Sequence, residues 1–173
     1  MVVRDIRLVL VTDARPGAAD SFCQALADRC QAPEVRRVDK ADELASQADI
    51  VVTATTSPTP TFDGRVLRPG THVNAVGAYV PEKREVDTAT VQRAYVVVDW
   101  REASSHEAGD LIIPNRQPDA ELGEIVNGTA PGRTDDQQIT FFKSVGIAVQ
   151  DAAAAGWVLQ QAELMGVGVL VDL

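Results

Sequence analysis

The sequence is poor in several features that would each point to a particular class of protein. Its 173 residues include only two cysteines, Cys23 and Cys30, which lie seven positions apart on a predicted helix. A helical rise of about 1.5 Å per residue places them roughly 10 Å apart, beyond the reach of a disulfide. The expectation is therefore a protein of a reduced, cytoplasmic compartment that folds without disulfides.

Long apolar runs and an excess of positive charge are missing as well. No run approaches the roughly 18–20 residues of a membrane span, and the first residues lack the apolar region of a signal peptide, so no membrane partner is expected. The 25 acidic residues outnumber the 16 basic ones, for a net charge of −9. That excess repels phosphate groups, so nucleic acid is not an expected partner either.

What is present is the composition of an ordinary folded protein. Apolar residues make up 45% of the chain and charged residues 24%, and the length suits one hydrophobic core. Residues 1–173 are therefore interpreted as a single domain, with no internal repeat and no linker.

Short Val/Ile/Leu-rich segments alternate with segments of helical periodicity. The predicted strands are 6–12, 34–38, 49–55, 71–77, 94–99, 139–145 and 166–173. The predicted helices are 18–30, 41–47, 87–93 and 146–165. Such alternation predicts parallel βαβ units, and hence an α/β fold with a mostly parallel sheet and flanking helices.

Polar or small residues follow several predicted strands, where sheets of this kind bind ligands. They are Asp13, Thr55 to Ser57, and Gly77 to Tyr79. A carboxylate at the position of Asp13 accepts hydrogen bonds from an adenosine ribose and disfavours a 2′-phosphate, which favours NAD. The alternative is a turn or helix-capping Asp before Pro16. Arg15 could contact a phosphate instead, so NADP stays open.

The glycine motif expected beside such an acid is absent. No G-x-G-x-x-G occurs in the chain, although that motif supplies the backbone N–H groups that hold a pyrophosphate at a helix N-terminus. Taken alone, the residues predict half of a dinucleotide site.

Four segments in order carry a family resemblance. They are Ala48 to Pro60, Leu67 to Asp87, His106 to Leu111, and Pro131 to Asp151. Together they resemble the ornithine cyclodeaminase/mu-crystallin family, over about residues 3–173. The resemblance implies a Rossmann-like domain that binds NAD(H) or NADP(H). It also implies hydride transfer between nicotinamide and a nitrogen-bearing carbon of a small amino- or imino-acid substrate.

The resemblance also assigns roles to individual residues. It implies cofactor contacts for Asp13, Thr55, Ala75, Val76, Gly77, Ala78, Lys83 and Ser144. Small residues let the backbone approach a ring, and hydroxyl groups satisfy amide and ribose groups, so the residue types agree with these roles. No metal ligand is predicted.

Tyr79 departs from the family pattern. Ornithine cyclodeaminases and the related alanine dehydrogenases carry an Asp at this position, which acts as a proton acceptor. A phenol, with a reference pKa of about 10, donates a proton but is a poor base at neutral pH. Tyr79 is therefore the candidate catalytic proton donor, which fits a ketimine-reductase-like or binding-only role better than a cyclodeaminase. The alternative is a packing aromatic at a loop edge.

A larger departure lies at the N-terminus. The family's substrate-binding and dimerisation domain, its first Rossmann strand and its glycine turn would all precede Met1, so the sheet is expected to be truncated there. The lost strand is the central one, so strands 6–12 and 49–55 must pair directly or another strand must fill the gap. The candidates are a separately encoded N-terminal half, a strand exchanged within a homo-oligomer, and residues 166–173.

Two further interpretations accompany these predictions. The chain could be a non-catalytic nucleotide-binding or assembly module, and its C-terminal helix and strand, residues 146–173, could pack against a partner. His72 and His106 are interpreted as structural or solvated. Glu107 and Asp110 could face the ligand cleft, but a cap or turn role is the preferred interpretation.

Overall fold

The structure, a computed structural model, describes residues 4–29, 34–169 and 171. Its strands are β1 (Leu8–Val11), β2 (Glu34–Arg37), β3 (Ile50–Thr53), β4 (His72–Ala75), β5 (Tyr95–Val98), β6 (Ala120–Glu121) and β7 (Thr140–Lys143). Its α-helices are α1 (Ala18–Arg29), α2 (Ala41–Gln47), α3 (Thr88–Arg93), α4 (Arg101–Glu107), α5 (Gly109–Ile112), α6 (Leu122–Val126) and α7 (Ala148–Met165). A short 3₁₀ helix spans Gly64–Val66.

Five strands form the main sheet, in the order β3-β4-β7-β5-β6, and every pairing in it is parallel. The core lies on this sheet, where Val73, Val96, Val98 and Phe141 are fully buried. Strands buried on both faces read as continuous apolar runs, which is why the β5 segment was visible in the sequence. The α/β class with a parallel sheet and flanking helices is confirmed.

The remaining two strands form a separate parallel sheet. Among the residues that the structure describes, β1 pairs with β2 alone, in a register that sets Leu8 beside Glu34. The alternative that strands 6–12 and 49–55 pair directly is therefore wrong. Within the described residues β3 ends the main sheet, and Val52 on it is 62% exposed.

The C-terminal segment differs from its prediction in one part. The helix is present as α7, which ends where Gly166 adopts a left-handed conformation with φ of +62°. The predicted strand 166–173 is absent from residues 166–169 and 171, because the chain leaves the helix through a turn. Positions 170, 172 and 173 lie outside the described residues. The alternative in which this segment fills the gap beside β3 gains no support.

The cysteines and the length of the helices were the subject of two further predictions. Cys23 is a half-buried free thiol on α1, whereas Cys30 lies outside the described residues. None of the helices in the described part of the chain is long and apolar enough to cross a membrane.

Candidate functional site

The candidate site lies at the carboxyl edge of the main sheet. β3 ends at Thr53, β4 at Ala75, β5 at Val98 and β7 at Lys143. Since these strands are parallel, the loops that follow them meet at one edge, where α/β sheets bind their ligands. Thr55, residues 76–79 and Ser144 all stand in these loops. The sequence predicted Thr55 and residues 77–79 at strand ends, whereas Val76 and Ser144 fell within the predicted strands 71–77 and 139–145.

The loops after β3 and β4 approach each other closely. A Cβ atom on Gly77 would overlap the carbonyl oxygen of Thr55, so only glycine allows this approach. The carboxylate of Glu85, which is fully buried, joins the two loops. Its Oε1 accepts a hydrogen bond from Thr55 N at 2.5 Å, and its Oε2 accepts from Gly77 N at 2.6 Å and Ala78 N at 3.2 Å.

Behind Glu85 lies a second buried carboxylate, that of Asp110 on α5. Its Oδ1 accepts hydrogen bonds from the backbone N–H groups of Glu85 at 2.6 Å and Val86 at 2.9 Å. Its Oδ2 forms an ion pair with Lys143 Nζ at 2.9 Å, and both side chains are 0% exposed. Lys143 Nζ also donates to the carbonyl oxygen of Ala78. Asp110 thus helps to build the loops, a role that differs from the predicted cap or turn.

The loop after β7 is held by Asp99, the residue that follows β5. Its Oδ2 accepts hydrogen bonds from Ser144 Oγ at 2.7 Å, Gly146 N at 2.8 Å and Val145 N at 3.1 Å. Its Oδ1 accepts from Trp100 N at 2.9 Å. The Ser144 hydroxyl therefore donates its proton to Asp99, and toward a ligand its oxygen can act only as an acceptor.

Asp13 stands apart from these loops, after β1 of the smaller sheet. Its carboxylate accepts hydrogen bonds from Arg15 N at 2.8 Å and from the Arg15 guanidinium at 3.2 and 3.3 Å. The guanidinium bonds lower the pKa of the Asp13 carboxyl below its ordinary value, and the pKa of Arg15 is raised in turn. Asp13 is thus an ionised, partly accessible acceptor, as a ribose site needs.

The other predicted residues divide by exposure. Ala75 and Ala78 are buried, whereas Val76 is 46% and Tyr79 66% exposed. Lys83 is also exposed, with its backbone N–H donating to the carbonyl oxygen of Val80. An apolar and a phenolic side chain are therefore presented to solvent beside a tightly held backbone.

Sequence reasoning missed the residues that hold the loops: Glu85, Asp99, Asp110 and Lys143. Glu85, Asp110 and Lys143 lie within segments that carried the family resemblance, and Asp99 was visible as an acid at a strand end. Charged residues are almost never fully buried without a partner, so their pattern alone reads as surface.

Comparisons with known proteins agree with this architecture. A sequence model of the ornithine cyclodeaminase/mu-crystallin family matches residues 1–165. A Δ1-pyrroline-2-carboxylate reductase of Bacillus cereus is 37% identical, over 98% of this chain and 54% of its own length. Ketimine reductase mu-crystallin of Macropus fuliginosus is 40% identical, over 70% of this chain and 38% of its own.

A solved structure extends the likeness to the fold. The Δ1-pyrroline-2-carboxylate reductase of Thermococcus litoralis, in complex with NADH and L-proline, superposes with a TM-score of 0.94 at 38% identity. The superposition covers 98% of this chain and 54% of that one, so the chain spans about half the length of these reductases. With a family match over most of its length, the chain belongs to the ornithine cyclodeaminase/mu-crystallin family.

Proposed function

We propose that this chain is the nicotinamide-nucleotide-binding part of an oxidoreductase that acts on a small amino or imino acid by hydride transfer, with NAD as its cofactor. The observation that carries the proposal is the superposition of nearly the whole chain on a reductase that holds NADH and L-proline. The loops of the candidate site are part of that superposed length.

The residues present fit such a cofactor. Asp13 offers carboxylate oxygens to a ribose diol. The ribose hydroxyls would replace the Arg15 guanidinium as donors to this carboxylate, while the bond from the Arg15 backbone N–H stays in place. The exposed face of Val76 offers apolar contact to a planar ring, and Thr55, Lys83 and Ser144 offer polar contacts around it. When bound, the nicotinamide ring supplies or accepts the hydride.

Tyr79 is the chain's own candidate for proton transfer. Reduction of an imine adds a hydride to carbon and a proton to nitrogen, and the exposed Tyr79 hydroxyl follows the backbone that would line the ring. We propose that it donates this proton, directly or through water. Because a phenol is a poor base at neutral pH, this role favours imine reduction over cyclodeamination.

We also propose that a further segment completes the site. β1 and β3 each end their sheet within the described residues, and each therefore has an edge that can accept another strand. The relatives are about twice as long as this chain. We therefore propose that their additional half, whether joined to this chain or separately encoded, supplies a strand for these edges and the groups that bind the substrate. A second copy of this chain is the alternative, and α7, exposed along nearly its whole length, is available to either.

Replacing Asp13 tests the cofactor proposal. Hydrogen bonds to a charged acceptor are stronger than those between neutral groups, so Asp13→Ala is expected to weaken NADH binding roughly 10- to 100-fold, as measured by titration of the reduced cofactor's fluorescence. NADPH binding should strengthen instead, because the carboxylate that repels its 2′-phosphate is removed.

Asp5→Ala is the matched control, since Asp5 is an exposed carboxylate at the opposite end of the same strand segment. It should bind NADH as the natural chain does. Equal NADH binding by the Asp13 and Asp5 variants would overturn the role of Asp13. Failure of the completed assembly, this chain together with the segment that completes its site, to bind NADH at millimolar concentration would overturn the proposed function.

A further inference from the structure

We infer that Glu85 is a positioning residue for the cofactor site: it sets the spacing of the loops after β3 and β4 and acts on the cofactor only through Thr55 and Gly77. This inference rests on the proposed function for its link to NADH. Its structural part concerns this chain alone.

Three backbone N–H groups of the two loops donate to the Glu85 carboxylate. Oε1 is bound by Thr55 N, from the loop after β3, and Oε2 by Gly77 N and Ala78 N, from the loop after β4. Full burial removes water as a competitor for these bonds. One side chain therefore holds two adjacent strand ends at a fixed separation, and Gly77 allows that separation to be small.

Glu85 is itself fixed from several directions. Its N–H donates to Asp110 Oδ1, and its carbonyl oxygen accepts from Thr61 N at 2.9 Å and Thr61 Oγ1 at 3.1 Å. The Asp110–Lys143 ion pair then connects this point to Ala78 through Lys143 Nζ. Because its backbone is held on both sides, Glu85 can impose a position on the loops rather than adopt theirs.

The same bonds determine what the loops present to a ligand. The N–H groups of Thr55, Gly77 and Ala78 are directed to Glu85, so they are unavailable to a cofactor. At these three residues, contacts with a ring are left to side chains and carbonyl groups, and the exposed side chain of Val76 lies beside them. Glu85, being fully buried, reaches a bound cofactor only by placing those groups.

The chemistry requires a carboxylate. Both oxygen atoms of Glu85 are acceptors for backbone N–H groups, whereas the amide of Gln has one acceptor oxygen and an NH₂ donor. In Glu85→Gln, the amide NH₂ group faces the backbone N–H of one of the two loops. Because both groups are donors, they cannot bond, and that loop will separate from the other. Asp in this position keeps both acceptors but is one methylene shorter, and so spans the two loops poorly.

The experiment compares Glu85→Gln with Glu82→Gln in the full 173-residue chain. Glu82 is exposed in the same loop, so its variant makes the same change of charge without the contacts. Amide hydrogen exchange of segments 51–57 and 74–80 is measured first, without cofactor. Affinities for NADH and for ADP-ribose, which lacks the nicotinamide ring, are then measured for each protein.

The expected result for Glu85→Gln is faster exchange in both segments and a loss of NADH affinity of about tenfold, with ADP-ribose affinity within about twofold of the natural chain. Glu82→Gln should match the natural chain in every measurement. Unchanged exchange in the two segments, or an equal loss of affinity for NADH and ADP-ribose, would overturn the inference, because the latter is the pattern of general destabilisation.

Glu85→Asp provides the same comparison if Glu85→Gln does not fold, with smaller effects in the same two segments. Failure of this chain, together with the segment that completes its site, to bind NADH would overturn the proposed function by itself. The exchange measurement then decides whether Glu85 fixes the loops, so the two failures are distinguishable.

Discussion

At the scale of single residues, the site depends on two glycines, because neither has a Cβ atom. Gly77 and Gly109 each stand where a Cβ atom would enter the backbone of another segment: Thr55 for Gly77, and residues 81–83 for Gly109. At Gly109 the added atom would overlap the carbonyl oxygen of Lys83 and lie 2.8 Å from that of Pro81. α5 can therefore approach the loop, and Asp110 can reach Glu85, only because residue 109 has no side chain.

Gly109→Ala tests this close approach. Backbone carbonyls cannot yield as a flexible side chain would, so we expect the free energy of unfolding to fall by about 1–3 kcal/mol. The displaced α5 should also loosen the bonds from Asp110 to residues 85 and 86, and so weaken NADH binding. Denaturant unfolding and the NADH titration measure the two effects.

Gly156→Ala is the control for Gly109→Ala. Gly156 lies in α7 with no atom within 4 Å of an added Cβ, so the substitution should stabilise the helix by up to about 1 kcal/mol. If Gly109→Ala is as stable as Gly156→Ala, the close approach of α5 does not constrain the fold.

At the scale of elements, Asp99 connects the end of β5 to the start of the segment that leads into α7. Four donors meet its carboxylate, three of them from residues 144–146. Ser144 thus has a structural bond in addition to its predicted cofactor contact. The two roles can be separated, because only one of the three bonds from that loop belongs to the Ser144 hydroxyl.

Asp99→Asn and Ser144→Ala should therefore differ. The Asn amide turns one acceptor into a donor and lowers the charge that strengthens the other bonds, so hydrogen exchange in residues 144–147 should accelerate markedly. Ser144→Ala removes one bond to Asp99, worth about 1.5–3 kcal/mol for a charged acceptor, and the longer bond from Gly146 N to Ser144 Oγ at 3.2 Å. It leaves the bonds from residues 145 and 146 to Asp99 in place, so it should accelerate that exchange less. Equal exchange in the two variants would show that the loop does not depend on Asp99.

The elements also show what a sequence can predict. Residues 41–47 and the runs 49–55 and 94–99 carry local periodicity, and helix α2 and strands β3 and β5 were found within a residue or two of their predicted ends. Strand order is not local information: nothing in residues 139–145 indicates that β7 lies between β4 and β5. The separate β1–β2 sheet likewise depends on pairing that no single segment encodes.

The site was predictable to the same extent. The place of Thr55 could be predicted, because it follows a strand and parallel strands share a carboxyl edge. The same reasoning did not show that Asp13 follows a strand of the separate β1–β2 sheet. The places of Glu85 and Lys143 could not be predicted, because a charged residue in a loop or at a strand end has the same local pattern whether solvated or buried. Their burial can be predicted only once the three-dimensional positions of their partners are known. These partners are Asp110 for Lys143 and the backbone N–H groups for Glu85.

At the scale of the whole molecule, acid stability depends on several groups with shifted pKa values. Arg101 lowers the pKa of Glu124 to about 2 by hydrogen bonding, and Arg65 lowers that of Asp63 to about 2 in the same way. These carboxylates stabilise the fold above their ordinary pKa values, and their contribution is lost as the pH falls from about 4.5 towards 2. Another group, a histidine, makes the stability depend on pH closer to neutrality.

That group is His72, at the start of β4. Its Nδ1 lies 2.7 Å from Thr140 Oγ1 and its Nε2 lies 3.2 Å from Asn74 Oδ1. Burial lowers the pKa of His72 below its ordinary value, and the positive charges of Arg133 and Arg4 lower it further, against a smaller opposite effect of Asn74. The folded chain therefore holds this imidazole neutral at a pH where the unfolded chain would protonate it.

Stability should consequently begin to fall as the pH drops below about 6.5, the ordinary pKa of the imidazole, because the unfolded state takes up the proton first. His72→Gln removes that proton uptake, so its thermal midpoint should change less than that of the natural chain between about pH 7 and pH 5.5. His106→Gln is the matched control, since His106 is the exposed histidine of the chain and should leave the slope intact. A slope that survives in His72→Gln, or disappears in His106→Gln, would assign the titration near neutrality to another group.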